Sequence, residues 1–309
     1  MAISIICTGR DLQPWIAALK ACDADLDVRV WPDDGDRCEV EFALCWKHPP
    51  GALLNYPNLR CISSMGAGID HLFNDPDLPQ HLPVVRLVDP QLAQSMFDYV
   101  CAAVMGYFRD FDVYRAQQQR TEWLVQVAKS TSDTTIGIMG LGKLGGYVAE
   151  QFCAMGFNVV GWSRSAKSLD GVTTYAGDQQ LDVFLSQSDI LICLLPLTPQ
   201  TQDILNLELF RKLPKGASLV NVARGEHLVE QDLIKALDIG YLRGACLDVF
   251  RQEPLPLEHP FWQRQDIIIT PHCSSITHPA SVAPQIVENY RLLKNNQPLL
   301  NQVVMQRGY

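Results

Sequence analysis

Arg224, Glu253 and His272 each follow an apolar run. Ala217–Val222 leads into Ala223-Arg224-Gly225, Gly244–Val249 into Glu253-Pro254, and Asp266–Thr270 into Pro271-His272. A guanidinium, a carboxylate and an imidazole delivered to one rim can reduce a 2-keto acid. The arginine grips the substrate carboxylate with a bidentate fork and polarises the adjoining carbonyl. The histidine, with an ordinary pKa of about 6.5, gives a proton to the new alkoxide. The glutamate bonds the imidazole, fixes its tautomer and raises its basicity. Arg224, Glu253 and His272 are therefore the expected catalytic set, with Arg224 and His272 also touching substrate.

Such a reduction needs a hydride donor, and residues 136–165 read as its binding site. An apolar strand meets Gly140-Leu-Gly142-Lys-Leu-Gly145, then a helix, then a second apolar strand that ends in Ser163-Arg164-Ser165. Gly140 permits the tight turn, Gly142 removes a Cβ from the path of a pyrophosphate, and Gly145 lets the helix pack on the strand. The helix start offers unpaired N–H groups to the anion, which adds Lys143 and Leu144 to the expected contacts. A site for NAD carries an acid about 20 residues on to bond the ribose 2′-hydroxyl. No acid lies between Glu150 and Asp170; the slot holds Ser163, Arg164, Ser165 and Lys167. A carboxylate there would repel a 2′-phosphate, whereas a guanidinium, hydroxyls and an ammonium bind one. The expected cofactor is NADP(H).

The elements that must hold these residues are legible as strand–helix alternation. Thr135–Met139, Asn158–Trp162, Asp189–Leu195, Ala217–Val222, Gly244–Val249 and Asp266–Thr270 predict an α/β, doubly wound parallel sheet, with chemistry at the carboxyl ends of its strands. The first hundred residues form a smaller α/β unit, with strands at Ile3–Cys7, Val28–Trp31, Phe42–Trp46, Arg60–Ser64 and Val84–Val88 and helical pieces at Leu12–Ala21 and Gly51–Tyr56. Two domains are expected. Residues 1–98 bind substrate, completed by a C-terminal segment, 280–309, that holds the last helix; residues 99–279 bind the dinucleotide. A long helix from about Gln91 to Ala128 carries more aromatic and apolar side chains than one packing face needs. Its second face packs either against a second subunit or between the two domains.

The 309 residues are 47% hydrophobic with a net charge of −9, enough apolar content for real cores and no global basic field for nucleic acid or anionic membrane. The N-terminus lacks a basic, long apolar leader, and no apolar stretch is long enough to span a bilayer. Ten cysteines without a CxxC pair read as reduced thiols in the cytoplasm. No His/Asp/Glu cluster has metal-ligand spacing, so no metal is expected. His48, His71, His81, His227, His259 and His278 read as surface or loop residues, with His71 set apart by its place beside the glycine-rich Met65–Asp70 stretch.

Several stretches together resemble the D-isomer-specific 2-hydroxyacid dehydrogenase family over nearly the full length. They are Ser64-Met-Gly-Ala-Gly-Ile-Asp70, the glycine loop, Leu195-Pro-Leu-Thr198, Asn221-Val-Ala-Arg-Gly225, Leu247-Asp-Val-Phe250 with Glu253-Pro254, and Thr270-Pro-His272. Ala43-Leu-Cys-Trp46 with His48-Pro-Pro50, and Gly161-Trp-Ser-Arg-Ser165, are most similar to its glyoxylate- and hydroxypyruvate-reducing branch. The resemblance implies a Rossmann NADP-binding domain and a flavodoxin-like substrate domain. It implies NADPH-dependent reduction of a small anionic 2-keto acid in a homodimer. It implies that backbone N–H groups of Gly66, Ala67 and Gly68 meet the substrate carboxylate, that Trp46 and Met65 flank the substrate, that Asp248 bonds the nicotinamide amide, and that Leu195, Pro196, Val222 and Ala223 line the cofactor. Two alternatives stand beside it: a dehydrogenase for a different 2-hydroxy acid, and a dinucleotide-sensing protein of the corepressor kind.

Overall fold

Short runs of Ile, Val, Leu and Cys become strands of two all-parallel sheets, because a parallel strand is covered on both faces and can be apolar along its whole length. The computed structural model describes residues 2–304. One unit comprises the chain up to Leu92 and from Thr277 onward; the other is Ala93–Ile276. Residues 305–309 of the expected C-terminal segment lie outside the described residues.

The first unit begins with β1 (Ala2–Cys7), α1 (Gln13–Cys22), β2 (Val28–Val30), β3 (Val40–Trp46), β4 (Cys61–Ser64), α2 (Asp70–Phe73) and β5 (Val84–Val85). The chain passes to the second unit within α3 (Pro90–Phe108) and continues through α4 (Phe111–Gln119), β6 (Thr135–Met139), α5 (Lys143–Ala154), β7 (Asn158–Ser163), β8 (Thr173–Ala176), α6 (Leu181–Leu185), β9 (Ile190–Cys193), α7 (Leu207–Phe210), β10 (Ala217–Asn221), α8 (Glu230–Asp238), β11 (Leu242–Leu247) and β12 (Ile267–Ile269). Then α9 (Pro279–Lys294) returns to the first unit, where Val282, Ile286 and Tyr290 share a core with Trp15 and Leu19 of α1.

The first sheet has the order β2-β1-β3-β4-β5, the flavodoxin-like arrangement, and reverses direction of growth between β1 and β3. The second has the order β12-β11-β10-β9-β6-β7-β8, the Rossmann arrangement, and reverses between β6 and β9. Open parallel sheets bind ligands outside the carboxyl ends of their strands at such reversals. In the second unit Phe152 of α5 meets Phe97 of α3 and Phe157 edge-on, at 5.4 and 5.9 Å between centroids. Each such pair contributes about 0.5–1.5 kcal/mol beyond its buried area, and together they seat the helix that starts at the glycine loop. In the first unit the carboxylate of Asp34 is buried under β1. Burial alone would raise its pKa, but hydrogen bonds from Tyr56, Ser4 and Arg37 outweigh that and hold it below the usual carboxylate value.

Three expectations need correction. The helix expected over 91–128 is two helices followed by chain without regular structure from Arg120 to Ser130. Asp110 sits in the left-handed region at φ 56°, and its carboxylate takes a 2.8 Å bond from Arg243, which also grips Tyr107 O and Asp112. A charge cluster thus fixes a break that hydrophobic content alone does not reveal. The Rossmann sheet has a seventh strand, β8, whose Thr-Thr-Tyr-Ala sequence is half-exposed and too polar to read as a strand. The unit boundaries fall at 92/93 and 276/277 rather than 98/99 and 279/280, because Met96, Val100, Val104 and Tyr107 of α3 pack into the Rossmann core. Among the described residues no helix is long and apolar enough to cross a membrane.

Candidate active site

Strands β10, β11 and β12 are neighbours, so the residues after their carboxyl ends lie along one edge of the sheet, and two of them, Glu253 and His272, are bonded. His272 Nδ1 lies 2.9 Å from Glu253 Oε2 and 3.1 Å from Oε1. A carboxylate only accepts, so Nδ1 carries the proton and Nε2 is the nitrogen left for chemistry. His272 holds φ at 52°, uncommon for a non-glycine residue. Its N–H donates to Asp248 O at 2.8 Å. The Asp248 carboxylate, fully buried, accepts from Thr270 Oγ1 (2.6 Å), Cys273 N (2.8 Å) and Ser274 N (2.9 Å). Asp248, expected on the nicotinamide, also holds the loop that carries His272, and these three bonds leave its carboxylate an acceptor position.

Arg224 follows β10 and is half-buried, with Nη1 donating to Ala223 O at 2.6 Å. Its carbonyl accepts from Asn221 Nδ2 at 3.0 Å and faces His227 Nδ1 at 3.1 Å, while His227 Nε2 faces Pro196 O at 3.3 Å. Next to it Gly225 has no room for a Cβ, which would lie 1.9 Å from Phe250 C. Leu195, Val222 and Ala223 are buried on this rim, with Pro196 half-buried.

The glycine loop follows β6 on the same edge of the sheet. Gly140 has φ 105°, and a Cβ on Gly145 would stand 1.8 Å from Gly140 O, so neither position accepts another residue. A Cβ on Gly142 would meet no protein atom within 4 Å. Its absence clears the approach from outside rather than relieving internal crowding. No side chain caps α5, leaving the amides of its first turn, at Lys143, Leu144 and Gly145, for an anion. These features fit a pyrophosphate. Alongside, β7 ends at the buried Ser163, whose Oγ donates to Ser165 O at 2.8 Å, and Arg164, Ser165 and Lys167 are exposed beyond it.

In the first unit the loop after β4 is tied by Ser64. Its Oγ donates to Gly68 O (2.7 Å) and accepts from Gly66 N (3.1 Å). The hydroxyl's only proton is spent on Gly68, so His71 Nε2, 3.0 Å away, donates to it. That leaves His71 Nδ1 to accept from Lys47 N at 3.3 Å. Of the three amides expected to meet substrate, Gly66 N–H is consumed inside the loop. Those of Ala67 and Gly68 are half-exposed, with no hydrogen-bond acceptor among the described residues, which leaves them open to an anion. Gly66 instead makes room for Trp46, whose Cζ3 lies 3.0 Å from where a Cβ would be. Met65 is fully buried in the core, so it supports the loop from behind.

Trp46 ends β3 and packs on His71 with ring centroids 4.6 Å apart. The guanidinium of Arg10, just past the end of β1, lies 3.9 Å from the Trp46 ring centroid. Arg10 and Trp46 flank the β1/β3 reversal, and the sequence reading missed the arginine; its place right after an apolar strand was the available signal.

The histidines read as surface residues divide. His48, His71 and His227 are buried. His48 Nε2 lies 3.0 Å from Asp75 Oδ2; burial lowers its pKa and the Asp75 contact opposes that. Their Pro, Gly and charged sequence neighbours belong to turns that fold inward at strand ends.

A family model for the NAD binding domain of D-isomer specific 2-hydroxyacid dehydrogenase matches residues 101–274. The chain belongs to the D-isomer-specific 2-hydroxyacid dehydrogenase family. A glyoxylate/hydroxypyruvate reductase A of Serratia proteamaculans is 42% identical over 302 residues, covering 96% of both chains. A D-isomer specific 2-hydroxyacid dehydrogenase from Xanthobacter autotrophicus Py2, crystallised with NADPH and MES, superposes with a TM-score of 0.95 at 40% identity, covering 100% of this chain and 99% of that one. An NADPH-dependent glyoxylate/hydroxypyruvate reductase from Sinorhizobium meliloti, with NADP and sulfate, superposes at 0.92 with 34% identity and the same coverage. The span matched by the family model takes in the glycine loop and runs to the His272 loop.

Proposed function

We propose that this protein is an NADPH-dependent 2-keto acid reductase that converts glyoxylate to glycolate and hydroxypyruvate to D-glycerate. The observation that carries the reading is the Glu253–His272 pair, on the same sheet edge as Arg224, the glycine loop and an acid-free β7 end. The names of the Serratia and Sinorhizobium relatives support the same substrates and cofactor. Bound at the glycine loop with its 2′-phosphate near Ser163, Arg164, Ser165 and Lys167, NADPH supplies the hydride. Arg224 holds the substrate carboxylate and polarises the keto group. His272 gives its Nε2 proton to the alkoxide while Glu253 keeps Nδ1–H in place and stabilises the charged ring. The first unit offers the Ala67 and Gly68 amides, with Trp46 and the Arg10 guanidinium beside the same sheet reversal, to an anion.

The working form is a homodimer. Trp123, Val125 and Val127 are each more than four-fifths exposed on the irregular segment after α4, and Phe111 and Leu124 more than half. A large apolar set of this kind marks an interaction site. All ten cysteines are free, two of them exposed, which fits a reducing cytoplasm.

The test is parallel consumption of NADPH and NADH with glyoxylate, hydroxypyruvate and pyruvate. Rapid NADPH-dependent turnover of the first two is expected. Tight NADPH binding without turnover of any small keto acid would favour a sensor instead.

A further inference from the structure

We infer that Tyr99 is a positioning residue for His272, acting through Thr270 and Asp248. The inference rests on the reading of His272 as proton donor and adds a residue from α3, whose sequence signals packing rather than chemistry.

Tyr99 Oη lies 2.5 Å from Thr270 Oγ1 and 3.3 Å from Cys246 Sγ. Thr270 has one hydroxyl proton, and Asp248 Oδ1 at 2.6 Å can only accept it. The direction of every bond follows. Tyr99 donates to Thr270, Thr270 donates to Asp248, and Asp248 receives the backbone amides of Cys273 and Ser274. Burial raises the Tyr99 pKa well above its ordinary value, so the phenol keeps the proton that begins this one-way chain.

Asp248 is fully buried, and no cation pairs with it among the described residues. Three neutral donors carry the whole task of satisfying its charge, and a buried carboxylate is costly when under-satisfied. Tyr99 polarises the strongest of them, because donating to Thr270 sharpens that hydroxyl as a donor in turn. The Asp248 carboxylate and its own carbonyl together anchor residues 272, 273 and 274, which keeps His272 at its positive φ. A catalytic group displaced by about 1 Å can lose on the order of 10²-fold in rate. The Tyr99 hydroxyl thus reaches the imidazole without touching it.

The test compares Tyr99→Phe, Thr270→Val and the double variant with wild type. Tyr107→Phe is the control: it lies further along α3 and removes a buried hydroxyl that has no hydrogen-bond partner among the described residues. With hydroxypyruvate and NADPH, Tyr99→Phe is expected to lower kcat about tenfold while KM for NADPH stays within about twofold. The double variant should be no worse than the poorer single one, as members of one chain are non-additive. Tyr107→Phe should leave kcat as it is. A Tyr99→Phe kcat within about twofold of wild type, or additive losses, overturns the inference. If wild type turns over no keto acid, the functional reading fails separately. Hydrogen exchange at the Cys273 and Ser274 amides then decides: faster exchange in Tyr99→Phe but not in Tyr107→Phe sustains the positioning chain, and unchanged exchange ends it.

Discussion

The two polar clusters are built on opposite principles. Around His272 charge is gathered and answered: a carboxylate on the imidazole, and a second, buried carboxylate holding the loop beneath it. Around Ser64 the hydrogen bonds that shape the loop run between neutral groups. One hydroxyl, one imidazole and the edge of an indole shape the backbone, and the groups left open there are amides. In the proposed reaction the first arrangement moves a proton, and the second holds an anion without competing for protons. Substitutions should therefore fail differently in the two places.

The largest effect belongs to the proposed proton donor. His272→Asn should lower kcat by about 10²–10⁴-fold and leave NADPH affinity nearly intact, measured by steady-state kinetics and cofactor fluorescence. Next comes the cofactor edge. Arg164→Ala should weaken NADPH about tenfold or more with little change for NADH, because only the 2′-phosphate loses a charge-assisted contact. Equal losses for both cofactors would remove Arg164 from phosphate recognition. In the neutral cluster, His71→Leu should raise KM for keto acids about tenfold through the freed Ser64 loop, with NADPH binding unmoved. A fall in kcat alone would erase the contrast between the clusters.

The smallest effect is on stability in acid. His48 has a folded pKa below its ordinary 6.5, so the native state resists a proton that the unfolded chain accepts. Stability should fall as pH drops below 6.5 toward the folded value. Asp34, held below its ordinary 3.8, adds a second loss as pH falls from there through its folded pKa. Both residues belong to the first unit. Thermal melts from pH 7 to 4 should fall more steeply for wild type than for His48→Gln.

The arrangement along the Rossmann edge was legible because it is spelled in titratable side chains at strand ends and in glycines with no steric alternative. Arg224, Glu253 and His272 fall on neighbouring strand ends of one sheet, with Glu253 bonded to His272, and Gly140 and Gly145 leave no space for a Cβ. The supporting layer was not legible. Nothing local in the sequence says that His71 links β3 to the β4 loop, that Asp248 faces amides rather than outward, or that Arg10 stacks on Trp46, since each is a contact between distant segments. The break at Asp110 escaped for the same reason: its cause, Arg243, is far away in the chain.

One consequence of the α1–α9 pairing concerns synthesis. The ribosome makes all of Ala93–Ile276 before it makes α9. The Rossmann unit can thus complete its core while Trp15 and Leu19 still await Val282 and Ile286. For that interval the nascent chain displays an uncovered apolar helix ahead of the Rossmann unit. Chaperone binding during translation should concentrate there, although α1 is made long before the helix that covers it.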